Sequence, residues 1–291
     1  FPMNNQKSMK NAYRIAQELM DDRLKEKDSE AYNDIQDIKE ADVIVVRGVH
    51  DHIEQVFSMS GTPFTLINPE KLDRAELRQD QIVFINCPGE INSLGLNKLT
   101  SFVSGGGFLF TTDWALKNVL EKAFPGYVEY NQQATSDEVV RVEILDTEDP
   151  FLKSILGPKD DPQWWLESSS YPIRVLDKRK VEVLVSSKDI KDRYGEAPVF
   201  ITFKHYEGKI YHMISHFYLQ RSETRSERHF APATNYLFEK EIPDTFYKKY
   251  KAMGIDQSNV ADIESAYTSS AMMRKIIYDK KQQLRKKMEK K

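Results

Sequence analysis

The sequence predicts an α/β fold of three layers, in which a mainly parallel, doubly wound sheet carries helical N- and C-terminal extensions. Three observations support this prediction. The chain contains short apolar runs, the segments between these runs have apolar residues at helical spacing, and Gly or Pro often ends a run or a segment. Short apolar strands that alternate with helices are typical of βαβ units, whose sheets are buried on both faces. A chain of 291 residues has room for one large domain, or for one domain with an appendage.

The first half of the chain alternates between helical and strand patterns. Residues 8–40 show helical spacing of apolar residues such as Tyr13, Leu19 and Leu24, so we predict a helix there. We then expect strands over 42–47, 64–67, 81–86 and 108–112, and helices over 52–59, 94–104 and 114–124. Ligands bind such sheets at the carboxyl ends of the strands, which here are residues 48–52, 87–90 and 112–114.

The second half has a different pattern, because its strands alternate apolar and polar residues. We predict strands over 139–144 and 181–185, a hairpin of 199–204 with 209–215, and helices from residue 233 onward. The predicted division is an N-terminal helical extension (3–40), an α/β domain (41–232), and a C-terminal helical extension with a basic tail (233–291).

Charge and cysteine content exclude several classes of protein. The net charge of −3 gives no general reason to expect binding to nucleic acid or to a membrane. The single cysteine, Cys87, excludes an internal disulfide framework and any zinc site built from several cysteines. No stretch approaches the roughly 18 apolar residues of a spanning helix, and no signal peptide opens the sequence, so a cytoplasmic location is expected.

Three segments of the predicted α/β domain carry a resemblance to a known family. They read QIVFINCPGE, LGLNKLTSFVSGGGFLFTTDWALKNVLEKAF and, further along, DPFLKSIL. Together with the late strand pair, they resemble the ThuA-like and wider class I glutamine amidotransferase-like superfamily, over about residues 42–220. The resemblance implies a flavodoxin-like α/β fold.

The same resemblance implies that the family's catalytic triad is not retained. Asp113 stands where an active glutamine amidotransferase has its nucleophilic cysteine, and the glycines of the G-x-C-x-G turn are absent. Cys87 aligns instead with a loop that supplies backbone N–H groups to an oxyanion. His216 matches the family's histidine, but Tyr218 replaces the acidic residue two positions later. We therefore do not expect glutamine hydrolysis.

Charged and polar residues follow several predicted strands and form the candidate site. His50, Asp51 and His52 follow the first strand, Asp113 the fourth, and His216 the last. Such residues are acceptable ligands for a divalent metal, with an Asp as a general base. The alternative is that Asp51 and Asp113 are helix N-caps and the histidines are ordinary loop residues.

Other candidates leave two interpretations open. His212 and His216 lie four apart, which on a strand places them on one face. Cys87 is either a nucleophile or an inert, packed side chain. The second interpretation is supported by the lack of a basic neighbour in the sequence that would lower the pKa of its thiol. Trp164 and Trp165 either stack on a ligand or cover the sheet. The full set of predicted ligand-binding residues is Gly48, His50, Asp51, His52, Asn86, Gly89, Trp114, Trp164 and Trp165.

Two functions from different classes follow from these observations. The first is a non-catalytic binding or scaffold module, a pseudoenzyme on an amidotransferase-like fold. The alternative is a hydrolase that acts on a small, sugar-like substrate at the rim formed by Asp51, Cys87, Asp113 and His216. An enzyme needs Asp113 and His216 within hydrogen-bond reach in an open pocket, whereas a rim filled by Trp114, Trp164 or Tyr171 favours the module.

The basic end of the chain predicts a protein partner. Residues 274–291 carry a net charge of +7, which leaves −10 for the rest of the chain. We expect residues 258–291 to mediate association with a protein partner or a second copy rather than to stabilise the core. A small-molecule ligand is compatible with the sequence. No cofactor is predicted, and a divalent metal is the open alternative.

Overall fold

The computed structural model describes residues 3–145, 148–218 and 220–290. Its strands are β1 (Val43–Val46), β2 (Thr65–Ile67), β3 (Ile82–Ile85), β4 (Phe108–Thr112), β5 (Val128–Tyr130), β6 (Glu138–Arg141), β7 (Glu143–Ile144), β8 (Gln163–Leu166), β9 (Ile173–Val175), β10 (Val181–Ser186), β11 (Pro198–His205) and β12 (Gly208–Met213).

The helices lie before, between and after these strands. They are α1 (Met3–Lys27), α2 (Ser29–Gln36), α3 (Ile53–Ser60), α4 (Ser93–Ser104), α5 (Glu121–Ala123), α6 (Pro150–Ile155), α7 (Lys188–Tyr194), α8 (Glu227–Phe230), α9 (Thr234–Glu239), α10 (Tyr247–Ala252) and α11 (Val260–Glu289). One π-helical segment, Leu116–Leu120, leads into α5. Within the described residues, no helix is long and apolar enough to cross a membrane.

The central sheet confirms the predicted α/β fold. Its order is β2-β1-β3-β4-β12-β11-β10-β7, and the first five strands pair in parallel. The remaining neighbours pair antiparallel. Helices α1, α2, α3, α6 and α11 form one connected group, and α4 contacts α5. Because β1, β3 and β4 are buried along their whole length, their continuous apolar sequences match a sheet covered on both faces.

Strand order reverses between β1 and β3, which makes this the switch point of the sheet. The loops after these two strands touch, because the backbone N–H groups of Val49 and His50 donate to Cys87 O at 3.0 and 3.1 Å. Gly48 permits this contact, since a Cβ there would lie 2.3 Å from Cys87 O. The loops after β4 and β12 reach the same edge of the sheet, because those strands run parallel to β3.

Two predicted elements differ from the structure. The strand predicted over 139–144 is two strands, of which β6 pairs with β8 in a small separate sheet and β7 joins the edge of the central sheet. The helix predicted over 8–40 is also divided. Asp28 interrupts it, because its carboxylate accepts the Ala31 N–H and starts a new helix there.

The C-terminal helix α11 is part of the core, so the expectation that the core does not use this segment is wrong. Nearly every residue of 260–277 is buried. Small side chains let the helix approach β8 closely: Ser265 Oγ donates to Gln163 O at 2.7 Å, and Trp164 Nε1 donates to Thr268 Oγ1 at 3.0 Å. The buried residues of α1, α11 and the sheet form one continuous core.

The basic residues of α11 find acidic partners within the same chain. Arg274 pairs with Asp21 on α1, and Arg285 pairs with Glu30 and Asp34 on α2. The positive charge of this segment, which suggested an external partner, is therefore compensated in part by the first two helices. Association through residues 258–291 stays a prediction, and it concerns the exposed end of the helix.

Candidate functional site

Three side chains from three strand ends meet at the carboxyl edge of the sheet. Cys87 follows β3, Asp113 follows β4, and His216 lies shortly after β12. One thiol, carboxylate or imidazole atom from each lies within 4.8 Å of the other two. All three side chains are buried, with 1–4% of each residue exposed. The parallel strands thus bring together Asp113 and His216, as expected from the sequence, and Cys87 with them.

Asp113 occupies a strained turn between β4 and the following helical segment. Its φ of 44° is left-handed, a conformation that costs a residue other than glycine roughly 1–3 kcal/mol. The carboxylate accepts the Tyr171 N–H at 2.8 Å and the Ser170 hydroxyl at 3.2 Å. The N-cap interpretation of Asp113 is therefore wrong, because its carboxylate faces residues 170–171 instead of the first N–H groups of the helix.

His216 is held between two carboxylates. Its Nε2 lies 3.3 Å from Asp113 Oδ2, and its Nδ1 lies 2.9 Å from Glu167 Oε2. Burial lowers the pKa of His216, but the interactions with Asp113, Cys87 and Glu167 outweigh burial and hold the pKa well above its usual value. Burial also raises the pKa of Asp113. The cluster therefore holds its protons more tightly than the isolated side chains would.

Glu167 is the functional residue that the sequence did not reveal. It lies in the loop between β8 and β9, and its side chain is 39% exposed, so it is the member of the cluster that reaches the surface. The hydrogen bond from His216 lowers the pKa of Glu167. Its carboxylate contacts His216 from a part of the chain about 50 positions earlier. In the sequence it follows Trp164 and Trp165 closely, and these residues indicate aromatic stacking but not an acidic partner for His216.

Cys87 is a buried thiol rather than an activated thiolate. Burial raises the pKa of its thiol, although His216 lowers it in part. Its backbone N–H donates to Thr112 Oγ1 at 3.0 Å, which fixes the loop after β3. Cys87 therefore lies in the cluster, but its thiol lacks the lowered pKa that is typical of a cysteine nucleophile.

Asp51 holds the segment that carries His216. Its carboxylate oxygens accept the N–H groups of Phe217 and Tyr218, each at 3.2 Å. The N-cap interpretation of Asp51 is wrong, because α3 begins after His52 and the Asp51 carboxylate accepts N–H groups of Phe217 and Tyr218 instead of those of α3. Asp51 does not belong to the Cys87–Asp113–His216 group.

The remaining predicted residues of this edge shape the loops. Asn86 Oδ1 accepts the Ile53 N–H at 3.1 Å, which joins the loop after β3 to α3. Gly89 has a φ of 71° and packs against Ala115, where a Cβ would be 2.8 Å from its neighbour. A groove of about 450 Å³ lies at this edge, and its lining includes Arg47, Gly48, Asn68, Gly89, Glu90 and Asn92.

A column of aromatic rings stands beside Asp113. Trp114 stacks on Tyr171 with ring centroids 5.5 Å apart, and Tyr171 stacks on Tyr130 at 3.9 Å. His50, which is exposed, meets the edge of Trp114 at 5.2 Å. His52 lies 3.3 Å from Glu54 and does not belong to the Cys87–Asp113–His216 group. The Trp114–Tyr171 pair therefore lies at the rim beside Asp113, and the non-catalytic module stays a prediction.

Three predicted residues lie elsewhere. Trp164 is buried against α11 and cannot stack on a ligand. Trp165 donates from Nε1 to Asp137 at 2.5 Å and is also largely buried. His212 does not share a site with His216, because β12 ends at Met213 and the alternation of faces ends with it. The Nδ1 of His212 instead lies 2.8 Å from Thr111 Oγ1.

Comparisons with known proteins give the chain no family. No family model matches it, and no curated protein matches it. Among solved structures, it resembles a cytoplasmic protein from Salmonella typhimurium, with 12% identity over 75% of this chain and 99% of that one, at a TM-score of 0.43. A ThuA-like protein from Bacteroides uniformis has 13% identity over 62% of this chain and 83% of that one, at a TM-score of 0.42.

A third similar structure is a β-galactosidase from Bacillus circulans sp. alkalophilus, with 14% identity over 63% of this chain and a TM-score of 0.42. The chain spans only 31% of the length of that enzyme. No conclusion about activity rests on likenesses this weak, and the superfamily named from the sequence stays a prediction.

Proposed function

We propose that the protein is a hydrolase of a small substrate, with its active centre at Cys87, Asp113, Glu167 and His216. The single observation that carries the proposal is the placement of His216. Its two ring nitrogens lie 2.9 Å from Glu167 and 3.3 Å from Asp113, and Cys87 is within 4.8 Å. An imidazole positioned by one carboxylate and directed at a second reactive group is the arrangement that hydrolases use.

The cost of this cluster supports a functional role. Burying ionisable groups costs several kcal/mol for each ion before their interactions repay it. Apolar residues of similar volume at positions 113 and 216 would avoid that cost, and Asp113 adds a strained backbone conformation. Strongly perturbed pKa values at the carboxyl edge of a parallel sheet are typical of active sites.

Sugar-like molecules are the substrate class that we propose to test first. The stacked rings of Trp114 and Tyr171 adjoin Asp113, and exposed His50 adjoins Trp114. Aromatic faces beside polar groups bind the apolar faces of sugars while leaving their hydroxyls free for hydrogen bonds. The nearby groove of about 450 Å³ is of a size suited to a small ligand.

The first test is an assay of the full chain with p-nitrophenyl glycosides and p-nitrophenyl acetate. We expect His216→Gln to lower kcat/KM by about 10²- to 10⁴-fold, because it removes the central imidazole. Glu167→Gln should lower kcat and leave KM unchanged, because Glu167 orients His216 without binding substrate. His205→Gln is the matched control, since His205 lies in the β11–β12 hairpin region and bonds Tyr127.

Two results would contradict the hydrolase. One is a wild-type chain that turns over neither class of substrate. The other is a rate that His216→Gln and His205→Gln leave equally unchanged.

The burial of the cluster favours a second candidate, a non-catalytic binding module. Cys87, Asp113 and His216 are almost fully buried, and the Trp114–Tyr171 pair stands beside them. In this alternative the groove next to Gly48 and Gly89 binds a ligand, while the exposed lysines at the end of α11 contact a protein partner. Saturable binding of a sugar by calorimetry, without turnover and unaffected by His216→Gln, would support the module over the hydrolase.

A further inference from the structure

We propose that Cys87, Asp113 and His216 form a binding site for one zinc ion, with Glu167 as the residue that orients His216. The catalytic role of this ion rests on the proposed hydrolase, but its binding does not. The three side chains supply one sulfur, one oxygen and one nitrogen donor from three different loops. Thiolate, imidazole and carboxylate are the three ligand types that proteins use for zinc.

The spacing of the donors fits a tetrahedral ion. Ligand atoms about 2.0–2.1 Å from zinc lie about 3.3–3.4 Å apart when the geometry is tetrahedral. The separation of Asp113 Oδ2 from His216 Nε2 is 3.3 Å, and every pair in the group is within 4.8 Å. All three donors are therefore close enough together to share one ion.

His216 Nε2 is a buried polar atom without a hydrogen-bond partner. It approaches Asp113 Oδ2, but the pair lacks the geometry of a hydrogen bond. Only 4% of the His216 side chain is exposed, so water does not satisfy this nitrogen from the surface. Buried polar atoms are nearly always paired, and an exception aimed at a thiol and a carboxylate calls for an explanation. A metal ion between the three groups supplies one.

Neighbouring residues already hold the ligands as a metal site requires. Glu167 Oε2 lies 2.9 Å from Nδ1 of His216, so it keeps the proton on Nδ1 when the ion displaces the proton of Nε2, and Nε2 then offers its lone pair. Tyr171 N–H and the Ser170 hydroxyl hold the two oxygens of Asp113. Carboxylate–histidine–zinc arrangements of this kind are usual in proteins, and losing the outer carboxylate typically weakens metal binding about 10- to 100-fold.

Zinc fits these donors better than other common ions. Magnesium and calcium prefer six or more oxygen ligands, and a thiolate is a poor ligand for either. On binding, the ion would replace the protons of the Cys87 thiol and the His216 imidazolium. Three protein ligands leave a fourth position for water, which is the pattern of catalytic rather than structural zinc sites.

The test is metal binding by the full chain, kept reduced, after removal of metals with a chelator. We expect one zinc ion per chain by elemental analysis after reloading and desalting. Cobalt in place of zinc should give the near-ultraviolet absorption of a thiolate–cobalt bond. Cys87 is the only cysteine of the chain, so Cys87→Ser should abolish this absorption. Glu167→Gln should weaken zinc binding about 10- to 100-fold in competition with a chromogenic chelator.

The controls separate the site from adventitious binding and from misfolding. His205→Gln should bind zinc as tightly as the wild type does. Glu167 is partly exposed, so its variant should fold, and circular dichroism checks this. No zinc retained, a thiolate band that survives Cys87→Ser, or equal affinities of Glu167→Gln and His205→Gln would each overturn the proposal. Zinc binding without hydrolysis would contradict only the proposed function, and hydrolysis that survives complete removal of metal would contradict only the catalytic role of the zinc ion.

Discussion

Two histidines four positions apart differ because of what surrounds their rings. His212 lies in β12, fully buried, with Nδ1 2.8 Å from the Thr111 hydroxyl and no charged partner among its hydrogen bonds. Burial therefore lowers its pKa to about 3. His216 lies after the strand, where carboxylates surround it and raise its pKa. At the residue scale, the local partner decides the charge of a buried imidazole.

His212 should make the stability of the protein depend on pH. The unfolded chain takes up a proton on this side chain below its usual pKa of 6.5, whereas the folded chain does so only near 3. The contribution of His212 is therefore complete above pH 6.5 and declines as pH falls from there towards 3. In His212→Gln, the slope of the unfolding free energy against pH should be smaller by about one proton, or about 1.4 kcal/mol per pH unit.

Urea unfolding of both proteins between about pH 7 and about pH 4.5 measures this slope. The other histidines and carboxylates are the same in both, so the difference belongs to position 212. Parallel curves would mean that His212 is protonated in the folded protein.

At the same scale, the sequence predicted three of the four residues of the candidate site. Cys87, Asp113 and His216 follow strands, and the ends of parallel strands share one edge, so their convergence follows from the fold class. Glu167 follows a strand of a separate small antiparallel sheet. Its position depends on how that sheet packs against the central one, and no local pattern in the sequence encodes such packing.

Among the elements, helices α1 and α11 depend on each other. The Arg274 side chain is 2% exposed and pairs with Asp21 on α1, whose side chain is 17% exposed. A second pair joins Arg285 to Glu30 on α2, but the Glu30 side chain is 72% exposed. Both pairs join a guanidinium to a carboxylate, but they differ in burial, and Arg285 keeps a second carboxylate partner in Asp34 when Glu30 is replaced.

We expect Asp21→Asn to lower the unfolding free energy by about 3 kcal/mol, because it leaves the buried guanidinium of Arg274 without its countercharge. Glu30→Gln should leave the stability close to that of the wild type, since water solvates exposed ion pairs well. Chemical denaturation of both variants measures the difference. Equal effects would show that burial does not set the strength of these pairs.

Elements differ in how well the sequence predicts them. The strands β1 to β4 agree with the prediction to within a residue or so, because short apolar runs bounded by turn residues are typical of strands covered on both faces, whereas β5 has no such run and was not predicted. The sequence did not predict that α11 is part of the core, because the positive charge of its second half indicated a surface helix. Its acidic partners Asp21, Glu30 and Asp34 lie some 250 positions earlier, and sequence periodicity carries no information about pairs so distant.

For the whole molecule, α11 completes the core. Its buried apolar residues include Ile263, Tyr267, Met272, Ile276 and Ile277, and burying such side chains contributes about 1.5–3 kcal/mol each. A typical domain has only about 5–15 kcal/mol of net stability. Loss of these five side chains therefore removes stabilisation comparable to the whole net stability of a typical domain.

A chain truncated after Gly254 should consequently show no cooperative thermal transition in calorimetry. Removal of only residues 284–291 is the control, because the described residues there are partly or fully exposed, and this shorter truncation should melt much as the full chain does. A cooperative transition in the chain truncated after Gly254 would show that α11 is an appendage to an independent core.

The packing of α1 against α11 also determines when the core can form during translation. Tyr13 on α1 lies 3.3 Å from Ser269 on α11, 256 positions later in the chain. Ribosomes add about 5–20 residues per second, so α1 waits roughly ten seconds or longer for its partner after it emerges. Throughout that time the apolar face of α1 lacks its native partner and is accessible to chaperones that bind nascent chains, so the core is completed only after α11 has been synthesised.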